Sequence, residues 1–497
     1  MSKPASKGLL DLLGSVSPSA KEKPSFLYSP LWIVLWGILT FAAFVLEKEL
    51  LFYGFVLTCG LCVIAFAADL APIMPMFLLC YVTPSRSNNP GQSEEGLFYG
   101  ASGRIVLCLG IIAFIALLLR ITLDQRVGWK RFFTMKRGLA GGILALGAAY
   151  LLSGIGSSHY VEDAPRNIAF ALIQFAGVFL LYFLFSATVR WEKFRVDYLA
   201  WSGLVAGLVV LAELIWCYCT QNVWLDGAID RERLVTGWGI YNNMGAIIAT
   251  AIPFAFYLAQ KKKHNSVYLI LAVILLLGVV FSCSRSSVVF ALPISLLCYV
   301  YTFVKTENKK EYGITSAVLV AAIGIAGAVL WQQARHIFEK VPAILDVIDG
   351  SVVFDDSGRL EIYRAGWESF LQNPVFGQGF FPRGYDFPDF SVVDRFSGFF
   401  PPRLHNTVIQ ILATCGAVGM LAYLYHRAQT VRLFAKKWSV EKAYIAFYVL
   451  LLLLMSLLDC HFFNVGPTLF YSIALAVAEF AEDPKQKDKK KTLWFKR

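Results

Sequence analysis

Charged residues are scarce in this sequence, at 16% of the chain, whereas hydrophobic residues make up 57%. The sequence has no Gly-rich nucleotide-binding loop, no metal-ligand spacing and no nucleophile elbow. These absences argue against nucleotide-dependent enzymes, metalloenzymes and serine hydrolases. Any catalysis has to come from arginine and histidine side chains.

Apolar runs of about 20 residues, the length that spans a bilayer, recur along the chain. Only helices and closed barrels satisfy the backbone in lipid, and these runs are continuous rather than alternating. They therefore predict an all-α polytopic membrane protein with about 12–14 transmembrane helices. The predicted spans are 31–46, 50–68, 70–82, 104–122, 138–156, 168–188, 198–218, 243–260, 266–282, 287–304, 314–332, 405–426, 441–459 and 464–480.

Lysine and arginine concentrate in alternate connections, from Lys21 and Lys23 to the tail KQKDKKK, which predicts that both termini are cytoplasmic. The first apolar run lacks a cleavage site and is interpreted as a retained helix. The predicted organisation is a cytoplasmic N-terminal tail (1–29), a transmembrane bundle (30–332), a large extracytoplasmic loop (333–404), C-terminal transmembrane helices (405–480) and a basic cytoplasmic tail (481–497).

The net charge of +11 does not indicate nucleic-acid binding, because the basic residues lie in short connections rather than on one face of a soluble domain. Cys59 and Cys62 have the spacing of half a zinc site, but no second pair or histidine cluster accompanies them. The cysteines are interpreted as small buried apolar residues. No metal ion or cofactor is predicted.

One polar stretch, from Ser351 to Gly419, interrupts the apolar segments. A lipid-facing protein keeps such a stretch only in water, so it predicts the large extracytoplasmic loop. Near its end, Gln410, Gly416 and Gly419 indicate close helix packing.

Within this loop, a helical stripe follows the SGR motif at 357–359 and consists of Leu360, Tyr363, Trp367 and Phe370. Asp356 or Ser357 is predicted to cap this amphipathic helix, Asn373-Pro374 ends it, and it should lie along the membrane surface or over a pocket. Arg359 falls in the first turn, where the helix dipole favours an anion. An anionic partner would explain the arginine; the alternative is an exposed surface residue.

Two further positions lie where spans meet water. Arg285, in FSCSRSSVVF, either anchors a helix at the interface or faces a polar cavity, and its flanking serines, Ser284 among them, favour the cavity. His405 and Asn406 begin the span after the large loop. An imidazole can exchange a proton near neutral pH, although a lone interfacial histidine is often only an amphipathic residue.

Polar residues also mark two other helix ends. Arg233 precedes GWGIYNNMGAIIA, in which Asn242 and Asn243 either bind a sugar or cap the helix. Asp459 and His461, in LLDCHFF, are interpreted as structural.

Taken in order, these motifs resemble the O-antigen ligase and O-antigen polymerase superfamily of bacterial envelope glycosyltransferases. The motifs are Arg233 with GWGIYNNMGAIIA, SRS at 284–286, SGR…W with NPVFGQG, and HNTVIQILATCGAVGM. The resemblance covers roughly Arg231 to Ala422, whereas the N-terminal half is similar only in being a set of membrane helices.

The resemblance implies a GT-C-like bundle in the bacterial inner membrane, with an extracytoplasmic active site and a metal-independent, inverting reaction. The implied donor is a glycan on undecaprenyl diphosphate. A ligase would transfer it to a lipid A-core sugar, and the alternative, a polymerase, to another lipid-linked repeat unit. The implied partners are this donor, a glycan or lipid-linked acceptor and membrane lipid.

By the matching motifs, the predicted catalytic residues are Arg285, Arg359 and His405. The arginines would hold the diphosphate, and the histidine would assist the acceptor hydroxyl as base or orienting group. The predicted substrate-binding residues are Arg233, Asn243, Ser284, Arg364 and Asn406. The sequence departs from the family at Asn242-Asn243, where Asn-Pro-Asn is common.

An alternative from another class is a polysaccharide transporter or flippase, which predicts ionisable residues near mid-membrane and broken helices. A purely structural scaffold has no need for arginines at several outer helix ends.

Overall fold

The computed structural model describes residues 26–67, 69–81, 100–123, 128–158, 160–175, 179–191, 194–225, 228–229, 233–236, 239–261, 265–329, 345–348, 351–354, 359–380, 403–436, 438–463 and 465–481. Its first nine helices are α1 (Pro30–Leu46), α2 (Glu49–Phe66), α3 (Met74–Tyr81), α4 (Gly100–Leu123), α5 (Gly128–Thr134), α6 (Ala140–Leu151), α7 (Tyr160–Gln174), α8 (Leu180–Thr188) and α9 (Val196–Thr220). The later helices are α10 (Tyr241–Lys261), α11 (Asn265–Phe281), α12 (Arg285–Lys305), α13 (Lys309–Val329), α14 (Arg359–Gln372), α15 (Thr407–Lys436), α16 (Val440–Met455) and α17 (Val465–Phe480).

Three short antiparallel strand pairs interrupt this helical order. Two of them lie between α9 and α10 and pair β1 (Trp224–Leu225) with β2 (Ala228–Ile229), and β3 (Val235–Thr236) with β4 (Gly239–Ile240). The third pairs β5 (Leu345–Ile348) with β6 (Ser351–Phe354) and precedes α14. The sequence patterns did not predict these hairpins.

Each predicted span overlaps a helix, which confirms the all-α polytopic membrane fold. By length and composition, four of the described helices, α9, α10, α12 and α15, are long and apolar enough to cross a membrane. The span predicted at 168–188 begins too late, because α7 already begins at Tyr160. Glu162 and Asp163 lie in the first turn of α7, where carboxylates favour helix formation. The count of 12–14 spans and the GT-C-like arrangement stay predictions.

Contacts between helix termini show which ends of the helices lie together. Lys261, at the end of α10, lies 3.6 Å from Glu441 at the start of α16. The hydroxyls of Thr302, near the end of α12, and Tyr444, near the start of α16, are hydrogen-bonded at 2.9 Å. The starts of α10 and α12 and the end of α16 therefore share the opposite end of the bundle.

The start of α15 lies at that same end, because Thr407 N donates to Ser456 O at 2.9 Å, just after α16. The end of α9 joins it through the Tyr218 hydroxyl, which donates to Phe281 O at 2.6 Å. We call this end the His405 end and the opposite one the Lys261 end.

Helix α15 is broken at Gly416, whose φ of 63° and ψ of −158° do not belong to a helix. A break inside a span leaves backbone groups unpaired, and lipid offers them no partner. The segment at 373–380, which follows α14, supplies these partners. The hydrogen bonds run from Gln378 N to Ala413 O (2.8 Å), Gly379 N to Thr414 O (3.0 Å), Ala417 N to Pro374 O (2.8 Å) and Val418 N to Val375 O (3.1 Å).

The 373–380 segment is also held from its other side, by the turn after α6 and by α7. Gly154 N donates to Phe376 O at 3.0 Å, and Phe380 N donates to Asn167 Oδ1 at 2.8 Å. The 373–380 segment is thus fixed between α7 and α15. This fixes the distance from α14 to the start of α15, where His405 lies.

Candidate functional site

All eight residues predicted to act in catalysis or binding lie at the His405 end. Ser284 and Arg285 begin α12, Asn243 lies in the first turn of α10, and His405 and Asn406 precede α15. Arg233 Nη1 donates to Asn222 O at 3.2 Å, just after the end of α9. Arg359 and Arg364 lie on α14, whose Tyr363 hydroxyl donates to His405 O at 3.1 Å.

The turn before α12 is tightly built. Ser284 caps the helix, since its hydroxyl accepts from Ser287 N at 3.4 Å and donates to Ser287 Oγ at 2.8 Å. A side chain at Gly245 would come within 2.6 Å of both Ser282 Oγ and Ser284 Cβ. The first turn of α10, which carries Asn243, therefore lies directly beside the turn that carries Arg285. Only glycine at position 245 allows this close approach.

Arg359 is the first residue of α14, as the stripe predicted, and the predicted caps Asp356 and Ser357 lie outside the described residues. Burial raises the pKa of the Tyr363 hydroxyl, and the charge of Arg359 opposes this shift. Arg359 therefore lies close enough to act electrostatically on a side chain that is hydrogen-bonded to the backbone of His405. Arg364 is exposed and pairs with Glu368 at 3.1 Å.

His405 has a φ of 50°, a left-handed conformation that is uncommon for residues other than glycine. The neighbouring contacts hold it there. Asn406 Oδ1 accepts from Val408 N at 2.8 Å and caps α15, while Asn406 Nδ2 donates to Leu457 O at 2.9 Å. Asn406 thus has a structural role at this position, whatever its part in binding.

The His405 imidazole faces a buried carboxylate. His405 Nδ1 lies 3.5 Å from Asp459 Oδ1, with 33% of the histidine side chain exposed and 6% of the aspartate. Cys460 N donates to the same carboxylate oxygen at 2.7 Å. One face of the imidazole is therefore open to solvent, and one ring nitrogen is directed at a fixed negative charge.

Burial alone would raise the pKa of Asp459, but the contact with His405 and the nearby charge of Arg403 hold it below its ordinary value. Asp459 is therefore ionised at neutral pH. Burial lowers the pKa of His461, which is fully enclosed beside Asp459. Of the two histidines near Asp459, only His405 reaches the surface.

Asp459 is the residue that the sequence reading did not place in the site. The only signal was an acidic residue directly after an apolar span, and its partner lies in a different helix connection. An interaction between two connections cannot be read from local spacing.

No group of three or more histidine, cysteine, aspartate or glutamate side chains in the described part of the chain could hold a metal ion. The structure places an imidazole beside a carboxylate, and the helices α12 and α14 carry arginines at the same end of the bundle. Such a set can hold an anion and transfer a proton.

Residues 270–424 match the family model Wzy_C, described as O-Antigen ligase. The matched stretch includes Arg285, Arg359 and His405 but neither Arg233 nor Asp459. The resemblance to the O-antigen ligase superfamily that the motifs indicate is confirmed over this stretch. No curated protein matches the chain.

Proposed function

We propose that this protein is a membrane glycosyltransferase of the O-antigen ligase type. It would move a glycan from undecaprenyl diphosphate to an acceptor sugar at the outer face of the bacterial inner membrane. The observation that carries the proposal is the imidazole of His405, partly exposed to solvent and directed at the buried carboxylate of Asp459, at the helix end that also holds Arg285 and Arg359.

The donor already carries its leaving group, so the protein has to bind a diphosphate and activate a hydroxyl. In the proposed reaction the acceptor hydroxyl attacks the anomeric carbon, and the bond from that carbon to the diphosphate oxygen breaks. His405 takes the hydroxyl proton, and Asp459 stabilises the imidazolium that forms. Arg285 and Arg359 offset the negative charge that grows on the leaving diphosphate.

A transfer assay with purified protein in vesicles tests this proposal. Supplied with a lipid-linked glycan and an acceptor glycolipid, the wild-type protein should form a glycosidic bond and release the lipid diphosphate. Arg285→Ala, Arg359→Ala and His405→Ala should each abolish transfer while the protein still inserts. Arg359→Lys should also be harmful, because an ammonium group cannot bind a phosphate through two parallel hydrogen bonds. Full activity in both arginine-to-alanine variants would defeat the assignment.

The acceptor separates a ligase from the alternative, a polymerase of lipid-linked repeat units. In a deletion strain, the loss of a ligase should leave unattached lipid-linked polymer. The loss of a polymerase should instead leave single repeat units attached. Gel analysis of the envelope glycans distinguishes the two patterns.

Two observations favour a second candidate, a transporter or flippase for the lipid-linked glycan. Glu213 is 1% exposed within α9, and α15 is broken at Gly416. Intramembrane carboxyl groups and discontinuous helices are typical of transporters. The same vesicles decide between the candidates: translocation of the lipid-linked glycan without a new glycosidic bond would support the transporter.

A further inference from the structure

Helix α14 has three faces rather than two. Its buried residues, Gly366 and Ser369, lie on the side that packs against α15. Its polar residues include Arg364 and Glu368, with 82% and 57% of their side chains exposed. Between these faces Trp367 is 47% and Leu371 58% exposed, so a large apolar area on α14 is covered by none of the residues that the structure describes.

This apolar area continues onto the surface of α15. Val375, directly after α14, is 51% exposed, and its carbonyl accepts from Val418 N at 3.1 Å. Leu421 and Leu424, on the following turns of α15, are 67% and 54% exposed. We call these five residues, Trp367, Leu371, Val375, Leu421 and Leu424, the apolar strip.

The depth of the strip follows from the length of α15. The helix has 30 residues, and its Lys261 end carries the exposed cations Arg432 and Lys436. A hydrocarbon core about 30 Å thick takes roughly 20 helical residues. Counted back about 20 residues from these two cations, the opposite boundary of the hydrocarbon core lies between about residues 412 and 416, next to the break at Gly416.

The lower part of the strip, Leu421 and Leu424, thus lies inside the hydrocarbon. Val375 lies beside Val418 at the boundary, and α14 packs higher still, against the chain around Leu404 and Ile409. That height is the headgroup layer, where tryptophan is favoured and amphipathic helices lie flat.

We propose that α14 and the 373–380 segment dock into the lipid leaflet at the His405 end, with the apolar strip buried among the acyl chains and headgroups. The occupant is phospholipid, because the strip is continuous with the lipid-facing surface of α15 and lies at the depth of the interface. Docking fixes Arg359 at the height where the diphosphate of a membrane-borne lipid lies. The proposal needs only the membrane placement and not the glycosyltransferase assignment.

Tryptophan fluorescence of the full-length protein in vesicles tests the docking. The parent is Trp367→Phe, and the test variants add Leu371→Trp or Val375→Trp to it. The matched control adds Glu361→Trp, on the exposed polar face of the same helix. Each difference spectrum from the parent isolates the added side chain, in vesicles of phosphatidylcholine with and without bromine on the upper acyl carbons.

In both test variants, the added emission should be shifted to the blue and quenched by the brominated lipid, whereas the control should show neither change. Red-shifted and unquenched emission at 371 and 375 would mean that the strip faces water. Blue-shifted but unquenched emission would mean that another part of the chain covers it. Either result overturns the proposal. Because no substrate is present, failure of the proposed function would leave this measurement unchanged.

Discussion

Replacing Asp459 by Asn tests the contact on which the proposed proton transfer depends. The change removes the charge opposite His405 and keeps almost the same shape. The atoms His405 Nδ1 and Asp459 Oδ1 are 3.5 Å apart. Two unit charges at this distance attract by about 5 kcal/mol at an effective dielectric constant of about 20.

Solvent reduces this attraction, because 33% of the His405 side chain is exposed. We expect about 1–3 kcal/mol to remain as lost stabilisation of the imidazolium, which corresponds to a roughly tenfold to hundredfold slower transfer. Asp459→Glu should restore part of the rate.

The assay measures initial rates of glycan transfer by purified protein in vesicles at neutral pH. Asp163→Asn is the matched control, because Asp163 is also a buried aspartate, at 3% exposure, but lies on α7. The control should keep the wild-type rate. A wild-type rate in Asp459→Asn would contradict the proposed role of the contact, and so would a loss of rate no larger than the loss of folded protein.

The remaining predictions concern stability and binding. Gly416→Ala should lower the free energy of unfolding by about 1–3 kcal/mol, because its φ of 63° suits glycine and a side chain would meet the backbone of the 373–380 segment. Thermal unfolding in detergent measures this change. Gly313→Ala is the control, because a side chain at Gly313 would meet no atom within 4 Å. Arg364→Ala should change stability by less than about 0.5 kcal/mol, because both Arg364 and its partner Glu368 are exposed. If Arg364 binds substrate, Arg364→Ala should raise KM and Glu368→Ala should not. Equal effects of the two substitutions would mean that Arg364 acts only through its ion pair with Glu368. The low pKa of Asp459 stabilises the fold above its ordinary value of 3.8, and this contribution is lost as the pH falls below it, so the melting temperatures of wild type and Asp459→Asn should converge in acid.

Much of the helical order could be predicted from hydropathy alone, because each apolar run has to form its backbone hydrogen bonds within lipid. Hydropathy does not predict the start of α7, because its first turn carries Glu162 and Asp163 and is too polar to resemble a span. The position of Arg359 at the start of α14 followed from the spacing of its apolar residues. These features depend on neighbours in sequence.

The features that were missed depend on tertiary partners. Gly416 was interpreted as a helix-packing residue, but its positive φ is stable only because the 373–380 segment pairs with the carbonyls and N–H groups that the break frees. The contact of His405 with Asp459 joins two helix connections and has no local signal. The site is therefore predictable as a set of residues at one end of the bundle, but the pairings within it are not.

In the proposed reaction, the cations of α12 and α14 hold a lipid-borne diphosphate beside His405. The most direct measurement is a structure of the protein in lipid with a non-hydrolysable lipid-linked diphosphate glycan bound. We expect the diphosphate oxygens to contact Arg285 and Arg359, and the sugar's reactive carbon to lie on the open side of His405. A diphosphate bound away from both arginines, or at the Lys261 end, would contradict it.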